Sequence, residues 1–405
     1  MSQQIELTAE SFAPPKDLNR IQKIALMVGV AGFVVALIGL FRGEAARGQF
    51  FQSYLVSYLF WLSISLGSLG LLALQHMTQG AWGLVPRRIN EASSGVLVLM
   101  AALFVPIWLG RHELFEWLHP LEHHDEVLEA KLWYLNAPFY AKRVILYFLL
   151  WIGMTWLLTR FSSQQDRKAH DEAASARIIA RMRQVAAPGL VVLAVLATFS
   201  SVDLLMSLDP HWYSSLYGIY FMGSQLIAGM TFLILVCTWL SRFAPMNQVL
   251  SPKIFHAQGK LLMAFTLLWA YFGVSQFLIT WSGDLPEEIL WYKHRQEHGW
   301  QFVALTLVFA HFAIPFLLLL SRPRKEAAGR LAKVALLLLA AHWLDYFWQA
   351  APTFDAHLSF HPQYVATLAA VGGLWLWLFV TLLKRRPILP VKDPYLPEAL
   401  ADESH

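Results

Sequence analysis

Ten apolar runs follow one another along the chain, each wide enough to cross a bilayer by the ~20-residue criterion. They lie near residues 24–41, 53–75, 94–111, 139–160, 185–207, 213–240, 257–282, 300–321, 329–351 and 363–384. Lipid offers no water to unpaired backbone groups, so each run is expected as a helix. Composition points the same way: 57% of the 405 residues are hydrophobic and 14% are charged, too few charges to coat a soluble protein of this size. The net charge of +4 is small and gives no reason to expect a nucleic-acid partner. The only cysteine, Cys237, lies in an apolar run, which excludes a cysteine-ligated iron–sulfur cluster within the chain. There is no C-x-x-C-H haem-attachment motif either. No cofactor or metal of its own is expected here; redox groups would belong to partner subunits.

The first twenty residues are polar and contain Pro14 and Pro15, so no cleaved signal peptide is expected. Lys and Arg then set the orientation. With the N-terminus inside, 23 of the 31 basic residues fall on the inner side. The positive-inside rule therefore places both termini in the cytoplasm.

Two acids stand near the ends of apolar runs. Asp203 is followed seven residues later by Pro210, and Asp345 by Pro352 at the same spacing. A carboxylate in a span costs about 2.5–3.5 kcal/mol by insertion scales, so it is a functional candidate by default. The repetition suggests duplication. Tyr58–Gly70 aligns with Tyr217–Gly229, matching Tyr58 to Tyr217, Ser65 to Ser224 and Gly70 to Gly229. The expected fold is all-α integral membrane, with two related, parallel four-helix bundles (runs 2–5 and 6–9) flanked by runs 1 and 10. Its divisions would be a tail 1–23; run 1 with an outer loop, 24–52; a first bundle 53–212 containing a long outer loop 112–138; a second bundle 213–352; run 10 over 353–384; and a cytoplasmic tail 385–405.

Candidate chemistry gathers around these acids. Ser200, Asp203 and Ser207 share a helical face, and hydroxyls beside a buried acid can hold the waters of a proton relay. Asp209, beside Pro210, reads as a turn or cap, with His211 nearby. His342 and Asp345 are three apart and share a face, and His311 lies mid-run; an imidazole near neutrality can pass a proton. His76 and Lys260, at the inner ends of runs 2 and 7, would begin a cytoplasmic entry, although snorkelling alone accounts for Lys260. The proton-path candidates are thus Asp203, His342, Asp345, His311, His76 and Lys260. His342 and Asp345, with Trp348 among neighbouring aromatics, are also candidate quinone contacts. The same features have plainer readings, as hydrogen bonds between helices, interfacial aromatics and packing. Lys142 and Arg143 read as snorkelling side chains. The outer loop carries His112, His119, His123 and His124 among acids but lacks a zinc-ligand framework, and reads as a solvated surface that docks a partner.

Three segments carry a family resemblance: KLWYLNAPFYAKRVILYF, SSVDLLMSLDPHWYSSLYG and SQFLITWSGDLPEEILWY. Together they resemble the F subunit of alternative complex III, a bacterial quinol oxidoreductase, which is similar to the NrfD-like anchors of polysulfide-reductase-type enzymes. The resemblance spans about residues 20 to 385. It implies ten helices with two four-helix bundles in the bacterial inner membrane. It also implies partners: a sister NrfD-like subunit, an iron–sulfur subunit, multihaem cytochromes c, lipids and, further out, a terminal oxidase. Haem c, iron–sulfur clusters and menaquinone or another quinone would belong to the complex. The family associates quinol oxidation with the sister subunit and has a proposed proton-conducting role, which here falls on Asp203 within a matched motif. A quinone site in this chain, a secondary transporter and a structural scaffold remain the competing readings.

Overall fold

Among the described residues ten long helices carry the chain through the membrane, and their bounds follow from where polar groups find partners. The computed structural model describes residue 8 and residues 10–41, 43–120, 124–167 and 171–401. We number the spans 1 to 10: Asp17–Leu40, Glu44–Thr78, Arg87–Leu109, Ala137–Arg167, Ala173–Leu208, Tyr217–Leu240, Pro252–Gly283, Trp300–Leu320, Ala328–Thr353 and Pro362–Leu383. Among the described residues there is no strand. The protein is an all-α, multi-pass membrane protein.

Span 2 is the central post. It is long, mostly buried, and packs against spans 3, 5, 6, 9 and 10. It touches span 6 through glycine: a Cβ on Gly67 would lie 1.8 Å from the Gln225 carbonyl oxygen, and one on Gly229 would lie 2.5 Å from the Gly67 carbonyl carbon. Small residues let two backbones meet at van der Waals distance, which is how helices associate without a hydrophobic drive. Span 1 is peripheral. Its one deep contact is with span 10, where Gly29 and Gly373 lie backbone to backbone. Span 10 in turn bonds span 2, the Trp61 indole N–H donating to Leu368 O at 3.1 Å and the Trp375 N–H to Ser65 Oγ at 2.9 Å.

The starts of spans 2, 3 and 5 lie nine, seven and twelve residues before those of the hydropathy reading. Span 2 begins at Glu44, so the outer loop before it is short. Span 3 begins at Arg87, seven residues before its apolar run. Arg87 and Arg88 are buried helical residues rather than loop charges. Arg87 donates to Asp393 at 2.6 Å, and Arg88 holds Asp166 with two bonds of 2.6 Å. Paired and hydrogen-bonded, these charges tolerate a burial that hydropathy alone forbids. The outer loop carries short helices at Arg111–Leu114 and Glu126–Lys131. Its His123 lies outside the described residues.

Span 8 is not a continuous α-helix. Residues Val308–Ala313 form a π-helical turn between Trp300–Leu307 and Ile314–Leu320. The extra residue of such a turn re-aims side chains, and here His311 sits in it.

Candidate functional site

Asp345 is completely buried on span 9, and among the described residues no lysine or arginine is ion-paired with it. Its partners are hydroxyls. Tyr220 donates to Oδ1 at 2.7 Å, and Ser224 lies 3.3 Å from Oδ2, both from span 6. Ser224 is shared: its Oγ also lies 3.0 Å from His342 Nδ1. On the other side of that ring, Nε2 meets Ser63 Oγ at 2.8 Å, and Ser63 donates to Phe60 O at 2.6 Å. The result is a continuous chain, Tyr220–Asp345–Ser224–His342–Ser63, running from span 6 through span 9 to span 2. Its four inner members are all essentially solvent-free.

The bonds assign the tautomer. Ser63 gives its proton to Phe60 O, so it must accept from His342, which places a hydrogen on Nε2. Nδ1 then accepts the one hydroxyl proton of Ser224, so the 3.3 Å contact between Ser224 and Asp345 is a hydrogen bond in this tautomer when Asp345 is protonated and donates. Every group in the chain can serve as donor or acceptor after one rotation or one proton shift. Such a carboxyl can be bonded in either protonation state by turning hydroxyls, which a carboxylate locked in an arginine fork cannot do.

Asp203 is that second kind. It is completely buried at the end of span 5, but Arg143 Nε and Nη2 reach its two oxygens at 2.9 and 2.8 Å. Tyr147 adds a bond of 2.6 Å. The guanidinium is capped by Tyr134, whose ring centroid lies 3.7 Å away. Arg143 is therefore a buried partner and not a snorkelling side chain. The nearby hydroxyls are not relay partners either: Ser200, Ser201 and Ser207 donate to backbone carbonyls of their own helix. His211 reaches away from Asp203, to Asp125 of the outer loop at 2.7 Å. The two acids that look alike in sequence occupy unlike environments.

Of the remaining candidates, His311 comes closest. Its ring stacks 6.1 Å from that of His342 and meets Trp269 edge-on at 4.1 Å. Both of its nitrogens are buried without a hydrogen-bond partner. His76 lies at the opposite end of the bundle, buried, with Nε2 unbonded, beside a small polar cavity bordered by Gln75, Arg87 and Asp393. Lys260 is exposed at that same end. No hydrogen bond joins either of them to the central chain.

Beside the chain is an aromatic cavity of about 320 Å³, bordered by Tyr220, Trp269, Gln276, Tyr292, Phe312 and Trp348. Gln276 Oε1 and the indole nitrogens of Trp269 and Trp348 are buried without partners. Trp348 thus stands where a ring-shaped ligand would meet it. His342 and Asp345 do not line the cavity, because Tyr220 stands between. At its outer rim Arg295 lies over Trp291 at 3.6 Å and donates to Gln349 O at 2.6 Å. Burial without a carboxylate partner pulls Arg295 down to about 9.

Sequence reasoning passed over Ser63 and Tyr220 and read Arg143 as a snorkelling side chain. Hydroxyls in spans usually bond their own backbone, so only the fold reveals those that also meet a side chain, as Ser63 meets His342. For Arg143 a signal existed: a basic residue five positions inside a span, in the same chain as a buried acid, invites pairing. Among the described residues no three histidine, cysteine or acidic side chains gather as a metal site. The sequence matches no family model and no curated protein.

Proposed function

We propose that this chain is the membrane subunit of a bacterial respiratory quinol:electron acceptor oxidoreductase, in which it builds the membrane arm and carries a proton path. The sister NrfD-like subunit, the iron–sulfur subunit and the multihaem cytochromes c would be its partners in the cytoplasmic membrane, with both termini facing the cytoplasm. The family resemblance supplies the complex. The observation that supports the path is the cation-free carboxyl, joined through one serine to an imidazole and through that ring to a second serine.

The path works as follows. A proton on Asp345 Oδ2 passes to Ser224 Oγ as the Ser224 hydroxyl proton passes to His342 Nδ1. The products are a carboxylate and an imidazolium. The imidazolium then shares its Nε2 proton with Ser63 Oγ, and release beyond Ser63 would take a water as the acceptor, because Phe60 O is a backbone carbonyl that accepts a hydrogen bond and not a proton. Neutral His342 then carries its hydrogen on Nδ1, and the chain resets when the imidazole ring flips and regains its Nε2–H tautomer as the serines turn back. Oxidation of quinol in a neighbour would drive the cycle by changing the charge next to it.

Asp345→Asn in the whole complex tests this. The expected outcome is assembly with all partners, loss of proton translocation, and turnover reduced by about 10²-fold or more, the usual weight of a positioned proton-transfer group. Normal translocation in an assembled Asp345→Asn complex would end the proposal. The aromatic cavity supports a second reading, a quinone site in this chain, with Trp348 and Gln276 on the ring and Tyr220 handing its proton toward Asp345. Photolabelling by a quinone analogue at Trp348 or Gln276 would favour it.

A further inference from the structure

A cleft of about 310 Å³ opens between spans 3, 4 and 10, at the end of the bundle that holds both chain termini. Its floor is apolar, formed by Leu97, Ile152, Leu382 and Leu383. Its rim carries Val98 and Trp156, 59% and 55% exposed, on the face turned to lipid. Its mouth is basic. Arg385 and Arg386 border it, and Arg160 lies over the Trp156 ring at 4.9 Å.

Two acids, Glu91 at the cleft and Asp166, face four arginines, Arg88, Arg160, Arg385 and Arg386, which leaves the mouth net basic. Glu91 and Asp166 are engaged by Arg88, at 2.8 and 2.6 Å. Arg386 shares Glu91 with Arg88, at 3.5 Å. Among the described residues neither Arg160 nor Arg385 has an ion-pair partner. A second observation lies inside the cleft. The hydroxyls of Thr155 and Thr159, which line it, are buried and bond nothing. Elsewhere in the spans, Thr198, Thr266, Thr306 and Thr381 return their hydroxyls to the carbonyl four residues back. Thr155 is 6% exposed, so its hydroxyl is a buried, unbonded polar group in the wall of a space that the protein leaves unfilled.

We infer that this cleft binds one phospholipid with an anionic headgroup. The phosphate sits at Arg160, Arg385 and Arg386, the ester oxygens meet the threonine hydroxyls, and one acyl chain lies along Leu97 and Leu382. A free anion accounts for the arginines but not for the apolar floor. A partner helix, about 10 Å across, does not enter a cleft of this size. A basic mouth between spans above an apolar groove is the arrangement that holds acidic lipids. The site is independent of the proton path and stands whether or not that path conducts.

Native mass spectrometry of the full-length protein in mild detergent tests it. Phosphatidylglycerol and phosphatidylcholine with the same acyl chains are titrated onto delipidated protein, with inorganic phosphate as competitor. One phosphatidylglycerol is expected to be retained where phosphatidylcholine is not. Arg160→Gln with Arg385→Gln, both exposed and safe for folding, is expected to weaken retention about thirty-fold, from about fivefold per arginine. Equal retention of the two lipids, wild-type binding by the double variant, or full displacement by inorganic phosphate would each overturn the assignment.

Discussion

Asp203 and Asp345 show how far a single residue's meaning depends on what the fold places beside it. Both are fully buried, both sit seven residues before a proline, and only one has a cation. Removing one member of a buried ion pair strands the other, at about 3–5 kcal/mol. Asp203→Asn is therefore expected to lower the thermal midpoint in detergent sharply, whereas Asp345→Asn leaves it nearly unchanged; equal losses would show that the two acids play the same structural part. Asp125 offers a smaller case, outside the membrane. It caps Glu126–Lys131 through the Leu128 N–H at 3.0 Å and bonds His211 at 2.7 Å. The capping bond first, and His211 second, hold its carboxyl below the usual range. A depressed carboxyl stabilises above its unfolded value, near ~3.9, and loses that contribution as pH falls through the lower folded value. Protection of the Leu128 amide from hydrogen exchange should thus be flat between pH 7 and pH 5. Asp125→Ala should raise its exchange about fivefold in that range, from a cap worth about 1 kcal/mol. An unchanged rate would mean that the cap does not order the loop. The candidate acids were legible as residues, since burial of charge is written in hydropathy. Their partners were not, because Arg143 and Asp203 are 60 positions apart and nothing local joins them.

At the scale of elements, hydropathy located ten helices because each must satisfy its own backbone in lipid, and the length of the apolar stretch fixes where that obligation holds. It failed where polar residues are buried in protein. The start of span 3 is the clearest instance, since Asp393, Asp166 and Arg386 come from segments far along the chain. The π-helical turn at His311 left no sequence mark either, because an added residue changes side-chain direction without changing composition. Glycine contacts are a third feature that text does not distinguish. Gly67 and Gly153 both interrupt apolar helices, yet only Gly67 faces another backbone; a Cβ at Gly153 meets nothing within 4 Å. Gly67→Ala should force spans 2 and 6 apart and cost about 1–3 kcal/mol or more, the range for overpacking. Gly153→Ala should change stability by about 1 kcal/mol or less, the difference in helix propensity. Thermal unfolding of the two purified variants separates them, and a larger loss in Gly153→Ala would contradict the crossing of spans 2 and 6.

The whole molecule is polarised along the membrane normal. At one end the chain termini meet, with Ile388 N–H donating to Phe12 O at 3.0 Å and Asp393 bridging Arg87 and Gln165. At the other end lie the acids, the aromatic cavity and the outer loop. Twenty-three of the 31 basic residues fall at the terminal end in the count from sequence. Two of them, Arg87 and Arg88, turn out to be buried in ion pairs. That matters for topology, because the positive-inside rule acts on the nascent chain at the membrane, before Arg87 can find Asp393 some 300 residues later. The buried arginines therefore still count toward orientation, although they are shielded in the finished protein. A fluorescent protein fused after residue 405 should fold and fluoresce, and alkaline phosphatase fused there should stay inactive. Replacing Arg87 and Arg88 by glutamine should cost stability, by stranding Asp393 and Asp166, without inverting this pattern, because most of the charge bias remains. An active phosphatase on the wild-type C-terminus would place Asp345 and its serine–histidine chain in the inner half of the membrane. The proton path would then have to be reversed.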